Sequence, residues 1–528
     1  MTSARAPMLG AGRFPRVFDV ILSKLRRGAA LFALALSLAC QGTTAPSPAN
    51  AGTAAPGVAK DELLDTVSER TFRYFWDLTN PANGLVPDRW PTPSFSSVAA
   101  VGFGLTAYGV GVERGYVTRE EARQRVLTTL RFFSTAPQGP SSTGVTGYKG
   151  FFYHFLDMKT GERFKDVELS TIDTTLLLGG VLFCQSYFDR DDAVEAEIRS
   201  LADAIYRRVE WDWAMRRPPL VNHGWKPEVG FLPYDWAGGG YDESMILYIL
   251  ALGSPTHPIP AEAWSRITAN FRWETFHGQE YIPFNALFGY QYSHVWIDFK
   301  GIQDAFTRAR GIDYFENSRR ATYAHRNYAI ANPGQWRDYG ANVWGLTACD
   351  GPADVTVEID GRPRTFHTYW ARGCSATETT DDGTIAPTAA ASSIPFAPEI
   401  AVPAVEEMRR RYGDRLFAKY GFLDSFNPTF RTTQVPLQHG RVDPEYGWFD
   451  GDYLGIDQGP IITMIENYRT GLVWNVMRRN PYVVAGLSRA GFRGGWLDRA
   501  PVPPAGSRPE PRIVPTRAPA GAASSPRP

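Results

Sequence analysis

Four stretches of the 528-residue chain set carboxylates beside glycine and aromatic residues at the ends of apolar runs. The sharpest is Gly238-Gly-Gly-Tyr-Asp-Glu243, followed at once by Ser-Met-Ile-Leu-Tyr-Ile-Leu-Ala-Leu252. Three glycines free the backbone to turn, and the apolar run reads as a buried helix. Asp242 and Glu243 therefore stand at the N-terminal mouth of that helix. Capping is one use for such acids, and Asp242 suits it; a substrate-facing carboxyl is the other, and Glu243 is placed for it. The second stretch is Trp448-Phe-Asp-Gly-Asp-Tyr-Leu-Gly-Ile-Asp457-Gln-Gly-Pro460, where Pro460 fits the first turn of a helix and Asp457 is expected just ahead of its cap. The third runs from Gly150-Phe-Phe-Tyr-His154 to Glu168-Leu-Ser-Thr-Ile-Asp173. Ser170 and Asp173 have the spacing of a capping box, Glu168 lies outside it, and His154 among phenylalanines reads first as a core residue. The fourth, Asp381-Asp-Gly-Thr384, has the form of an ordinary turn.

Paired carboxyls among aromatics point to glycosidic cleavage, which needs one carboxyl as acid and another as base or nucleophile. Aromatic residues make up 13% of the chain, enough to fill a core and still offer faces to sugar rings. Eight scattered histidines give no zinc spacing, and there is no phosphate loop or nucleophile elbow, so no metal or other cofactor is expected. One physical conflict stands out. A helix N-terminus lowers the pKa of a carboxyl, whereas a general acid requires it raised; burial or the neighbouring Asp242 must outweigh the helix at Glu243.

The elements that must position these residues are mostly helical. Apolar residues recur at three- and four-residue spacing over 61–78, 97–112, 118–134, 170–187, 193–212, 243–252, 259–271, 300–310, 313–330, 396–411, 460–471 and 481–491. Alternating strands are few, the clearest being Val355–Ile359 before the turn pair Asp360-Gly361. No fixed-period repeat suggests a solenoid. The expected fold is all-α, an (α/α)6 double-ring helical barrel with a few short strands in its loops.

Residues 1–39 read as a secretory signal: basic residues up to Arg27, the apolar run Ala29–Leu38, then Ala39 before Cys40. A small residue ahead of Cys40 suggests lipidation there, although Ser37 stands where such signals usually carry leucine. Residues 40–58 read as a flexible tether, 59–500 as one catalytic domain, and 501–528 as a disordered tail rich in Pro, Ala and Arg. The whole chain has 55 basic and 55 acidic residues, but residues 40–500 carry 45 and 53, a net charge of −8. A mildly acidic body without a basic stripe excludes nucleic acid as the partner and suits a neutral ligand. The expected location is exported, periplasmic or outer-membrane, with the membrane touched only through the lipid. Cys349 and Cys374 bracket a polar segment, and an oxidising compartment would permit a disulfide between them.

At these motifs the chain resembles the glucoamylase-like domain family that includes bacterial endo-β-1,2-glucanases. The matching runs include Arg73-Tyr-Phe-Trp-Asp77, Gly150-Phe-Phe-Tyr-His154, Glu168-Leu-Ser-Thr-Ile-Asp173, Gly240-Tyr-Asp-Glu243 and Gln291-Tyr-Ser-His294. They continue through Asn317-Ser-Arg319, Trp344-Gly-Leu-Thr347, Asp382-Gly-Thr-Ile-Ala-Pro387 and Leu454-Gly-Ile-Asp-Gln-Gly-Pro460, in order from about residue 61 to 497. The resemblance implies an (α/α)6 barrel and cleavage of β-1,2-linked glucan or its oligosaccharides with inversion. It makes Glu243 the general acid and Asp457 the base, with Asp424 of Tyr420-Gly-Phe-Leu-Asp424 the alternative base. Glu168 and Asp173 would hold glucose hydroxyls. Tyr241, Tyr292, His294, Trp448 and Tyr453 would line subsites, and Arg319, Asp382 and Gln458 would join them as substrate-binding residues. The segment 353–379 departs from the family pattern as an insertion; if it overhangs the cleft, it closes one end and favours exo action. A transglycosylase on the same linkage and a non-catalytic glycan-binding lipoprotein are the competing readings.

Overall fold

The computed structural model describes residues 56–500. The signal, the Cys40 lipidation site, nearly all of the tether and the whole 501–528 tail lie outside the described residues.

Among the described residues the chain forms fifteen α-helices. They are α1 (Pro56–Leu78), α2 (Val98–Glu113), α3 (Arg119–Thr135), α4 (Thr171–Tyr187), α5 (Ala193–Arg207), α6 (Met245–Gly253), α7 (Glu262–Thr268) and α8 (Tyr292–Trp296). The remainder are α9 (Ala305–Arg308), α10 (Tyr314–Ala331), α11 (Pro387–Ala391), α12 (Pro398–Tyr412), α13 (Gly455–Arg469), α14 (Leu472–Met477) and α15 (Pro481–Arg489). Local chemistry explains many boundaries. Thr118 and Glu121 close a reciprocal capping box on α3, Asp192 caps α5, and Asp313 caps α10, which ends on Asn332 in the left-handed region.

The helices sort into two kinds. α2, α4, α6 and α13 are buried along nearly their whole length, whereas α3 and α5 bury one stripe and expose the other. α2 is the hub, packing on α1, α4 and α13, while α4 also packs on α5 and α15 lies on α6. Glycine makes the central contact possible. A Cβ on Gly102 would fall 2.1 Å from the Leu176 carbonyl oxygen, and one on Gly180 would fall 2.0 Å from that of Gly102, so α2 and α4 touch backbone to backbone.

Strands are more numerous than the alternation pattern implies. Five of them, Gly147–Tyr148, Phe151–Tyr153, Leu169–Ser170, Gly224–Lys226 and Gly230–Phe231, form one antiparallel sheet in chain order. Each is two or three residues long, too short for a period of two to show in sequence. The expected hairpin is present: Val355–Ile359 pairs with Arg362–Phe366 across Asp360 and Gly361, both at positive φ.

Candidate active site

Glu243 precedes α6, and its surroundings resolve the conflict posed by the helix. Asp242 accepts bonds from the Ala237 and Ser244 amides at 2.7 and 3.0 Å and from Ser244 Oγ at 2.5 Å, which fixes the loop. Ser293, on α8, donates to the Glu243 carbonyl at 2.8 Å and accepts from the Ile246 amide at 3.0 Å. The N-cap of α6 is Ser244 and not the expected Asp242, which bonds the Ser244 amide, while Ser293 from another helix meets the Ile246 amide in the first turn. The Glu243 carboxyl is left to face a pocket of about 260 Å³. Burial first, then the charges of Asp242 and Asp173, push its pKa well above the usual range. Burial and like charge thus favour the protonated form of Glu243, the state in which a proton donor must wait.

One wall of the pocket is the five-stranded sheet and the start of α4. Ser170 caps α4 through the Asp173 amide and donates to Asp173 Oδ2 at 2.5 Å. His154 bridges the two expected substrate acids: its Nδ1 lies 2.8 Å from Glu168 Oε1 and its Nε2 3.5 Å from Asp173 Oδ1. Burial pulls the imidazole pKa down, but Asp173, Glu168 and Asp88 outweigh it and raise it to about 9. Burial likewise acts to raise Glu168, yet the bond and charge of His154 hold it near 2. His154 is thus an imidazolium clamped between carboxylates rather than a core histidine. On the same wall His223 stacks on Trp236 with ring centres 3.7 Å apart, and burial lowers its pKa to about 4, so it is neutral.

Ile456 lines the pocket on another side, and the second acidic group is buried next to it, outside the lining. Asp457 lies inside the first turn of α13, whose N-cap is Leu454; the helix begins five residues before Pro460, which sits inside it as the sixth residue. Burial, followed by the neighbouring carboxyls of Asp424 and Asp350, raises the Asp457 pKa well above normal. Asp424 is raised by burial too, but it accepts the Asp350 amide at 2.7 Å and feels Arg89, which favour its charged form. The sequence's first and alternative bases are thus an interacting couple of buried carboxyls, and the Asp350 amide and Arg89 favour the charged form at Asp424. Arg89 supplies the counter-charge, 2.6 Å from Asp350 Oδ2 and 3.2 Å from Asp88 Oδ2. Oxygens of Asp350, Asp424 and Asp450 lie within 4.8 Å of one another, a donor set with the chemistry of a hard cation site, but the Arg89 guanidinium already neutralises part of it. Tyr292 senses both groups: it lines the pocket with Glu243, and its phenol feels the charges of both Asp457 and Glu243.

Other expected site residues sit elsewhere. His294 is fully buried among Phe299, Phe315 and Phe396, accepts or donates only toward Ser318 Oγ, and has its pKa lowered by burial to about 3, so it is a core residue. Arg319 pairs with Glu399 on the half-exposed side of α10. Asp382 forms a two-pronged bond with the fully buried Arg372 at 2.7 and 2.8 Å. Trp448 is buried in a satellite cluster with Trp336, Phe366 and Phe430. Tyr453 packs on Tyr74, Trp90 and Tyr420, and Gln458 donates to the Phe422 carbonyl. Tyr241 lies in a stack with Tyr290 and Tyr314 and lines a neighbouring pocket. Cys349 and Cys374 are free buried thiols and form no disulfide. Cys349 lies under the Arg372 guanidinium, whereas Cys374 packs with Tyr328 and Leu346, so the two serve different clusters.

Sequence reasoning passed over His223, Trp236, Tyr369 and Arg89. Asn222-His-Gly-Trp225 carries a usable signal, a glycine beside two aromatic rings, but it lacks an acid. Tyr369 comes from the insertion, which therefore does contribute to the pocket wall.

Residues 233–481 match the Glycoamylase family model, a glucoamylase family. A Bacteroides uniformis protein assigned as a glucoamylase is 32% identical with a TM-score of 0.68, covering 84% of this chain and all of that one. An endo-β-1,2-glucanase from Chitinophaga pinensis, solved with sophorotriose and glucose, is 28% identical at a TM-score of 0.68 and covers 83% of this chain and all of its own. An exo-β-1,2-glucooligosaccharide sophorohydrolase (non-reducing end) of Parabacteroides distasonis is 29% identical over 462 residues, 81% of this chain. The chain spans 58% of the length of that curated relative.

Proposed function

The chain belongs to the glucoamylase-like family, and from that premise we propose that it is a glycoside hydrolase cleaving β-1,2-linked glucan or its oligosaccharides. The observation that supports this reading is Glu243 lining the pocket beside Tyr292, whose phenol feels the charges of both Glu243 and Asp457 of the Asp457–Asp424 couple. Glu243 gives its proton to the glycosidic oxygen as the bond to the anomeric carbon breaks. The couple takes a proton from a water attacking that carbon from the opposite face, which inverts its configuration. Glu168 and Asp173, held by His154, accept hydrogen bonds from sugar hydroxyls. The fold proposed beneath this site is an (α/α)6 barrel, supported by the contrast between the all-round burial of α2, α4, α6 and α13 and the one-sided burial of α3 and α5.

The test is a panel of linkage-defined α- and β-glucans, read for product size and anomeric form. New reducing ends from β-1,2-glucan alone, in the inverted configuration, are expected. Glu243→Gln should lower kcat by at least about 100-fold while the protein stays folded. Products longer than the donor would replace hydrolysis with transfer, and near-wild-type turnover in the variant would remove Glu243 from the role.

A further inference from the structure

Tyr369, which lines the pocket with Glu243, sits in a loop that wraps around a guanidinium. Arg372 Nη2 donates to the carbonyls of His367 and Thr368 at 3.0 and 3.1 Å, and Nη1 donates to those of Cys349 and Trp370 at 2.7 and 3.3 Å. The carbonyls on both sides of Tyr369 thus accept from one fully buried side chain. Asp382 forks to the same guanidinium and also accepts the His367 amide at 3.0 Å. On the outer side, Asp354 accepts the Thr368 amide and hydroxyl at 3.1 and 2.9 Å. Beneath the loop, a Cβ on Gly351 would fall 2.2 Å from both Arg372 Nη2 and the His367 carbonyl oxygen, so the two segments touch with no slack. Beyond Tyr369, Trp370–Ala371 pairs with Ala348–Cys349, and Ala348 is itself on the pocket wall.

So much fixing is not explained by the ring it carries. Tyr369 is 54% exposed, so its own packing gives the fold little. A buried ion pair is a poor source of net stability, because desolvation offsets most of the attraction; what it supplies is a fixed position. That position matters here, since the Tyr369 phenol also feels the charges of Asp457 and Asp424 and so stands between the open pocket and the buried couple. We propose that Arg372 and Asp382 are positioning residues of the reaction, which act through Tyr369 by holding its ring in place against the substrate beside Glu243. The inference rests on the hydrolase reading above. It gives Asp382, expected from the sequence to bind substrate, an indirect part in place of a direct one.

A double-mutant cycle tests the proposal, because a positioning role makes one loss depend on the other residue. Tyr369→Ala removes a half-exposed ring and should leave folding intact. Arg372→Lys keeps a charge beside Asp382 but cannot fork to it or reach the surrounding carbonyls. Each alone should lower kcat/KM by about tenfold or more. The double variant should be no less active than Tyr369→Ala, while melting as far below it as Arg372→Lys melts below the wild type. A purely structural pair would lower melting without making its effect on activity depend on Tyr369. Losses that multiply overturn the proposal, and so does near-wild-type activity of either single variant. If Arg372→Lys does not fold, Asp354→Ala frees the same loop from its solvent side, where that carboxylate is 67% exposed. Its loss, about threefold, should vanish in the Tyr369→Ala background; a loss that persists there, or no loss at all, overturns the proposal. The substrate is whichever linkage the wild type cleaves in the panel, so a wrong linkage fails the reading and not this inference. If none is cleaved, the same cycle is read as retardation in gels containing each glucan. Independent effects, or a wild type that no glucan retards, then overturn it.

Discussion

At the scale of single residues, the chain separates acids that work from acids that hold. The pKa of Glu243 is raised because its carboxyl meets burial and the like charge of Asp242 and Asp173. Asp382 shows the opposite use. Its carboxyl is spent on Arg372, which is fully buried and also donates to the carbonyls of Cys349, His367 and Thr368. Asp382→Ala would strand that guanidinium, and loss of about 3–5 kcal/mol of stability is expected, read as a lower denaturant midpoint. A midpoint within error of wild type would mean that the pair is solvated in solution. This difference was hidden in the sequence, where Asp381-Asp382-Gly383 reads only as a turn. Glu168, Asp173, Glu243 and Asp457 were legible because each adjoins a helix start, a local signal. Of the partners that decide their charge, His154 lies in the same stretch but reads as core and Asp424 stands only as a rival base, while Arg89 comes from a distant segment and spacing carries no trace of it.

At the scale of elements, most helices were legible because the apolar period is local, but their roles were not. α13 was expected from Pro460 and begins at Gly455, a shift that moves Asp457 from ahead of the helix into its first turn. The contact of α2 with α4 depends on Gly102 and Gly180, which in sequence look like weak points of helices. Their sign reverses in the fold. In an exposed helix Gly→Ala gains about 1 kcal/mol of propensity. At Gly180 the added methyl meets the Gly102 carbonyl at 2.0 Å, and the two central helices must separate. Gly180→Ala is therefore expected to cost about 1–3 kcal/mol net, seen as a lower melting temperature, and to weaken activity through displacement of Asp173 at the start of α4. A more stable Gly180→Ala protein would show that the helices do not approach this closely.

At the scale of the whole molecule, the active site taxes the fold, and pH exposes it. Glu243 and Asp457 have folded pKa values above their unfolded ones. Each keeps a proton that the unfolded chain releases above about pH 4, so each withdraws stability as pH rises toward its folded pKa. His154 acts in the same direction. Its charged form is favoured by the fold, a contribution present in full below about pH 6.5 and lost as pH climbs to the folded value of about 9, on the order of 3 kcal/mol in all. The buried thiols Cys184, Cys349 and Cys374 also have raised pKa values and add to the same trend at its alkaline end. His223, His294 and His325 are lowered by burial and titrate in the unfolded chain only as pH falls below about 6.5, so they are silent above neutrality. Between pH 7 and 9 His154, joined by the thiols at the alkaline end, therefore pulls toward lower stability, and the melting temperature should fall across that window. The double variant Glu243→Gln, Asp457→Asn should melt higher than wild type at pH 7 and show a shallower decline, although it is inactive. A flat wild-type profile, or a double variant no more stable than its parent, would mean that these carboxyls are ionised in the folded protein and that Glu243 does not carry the proton that the reaction needs.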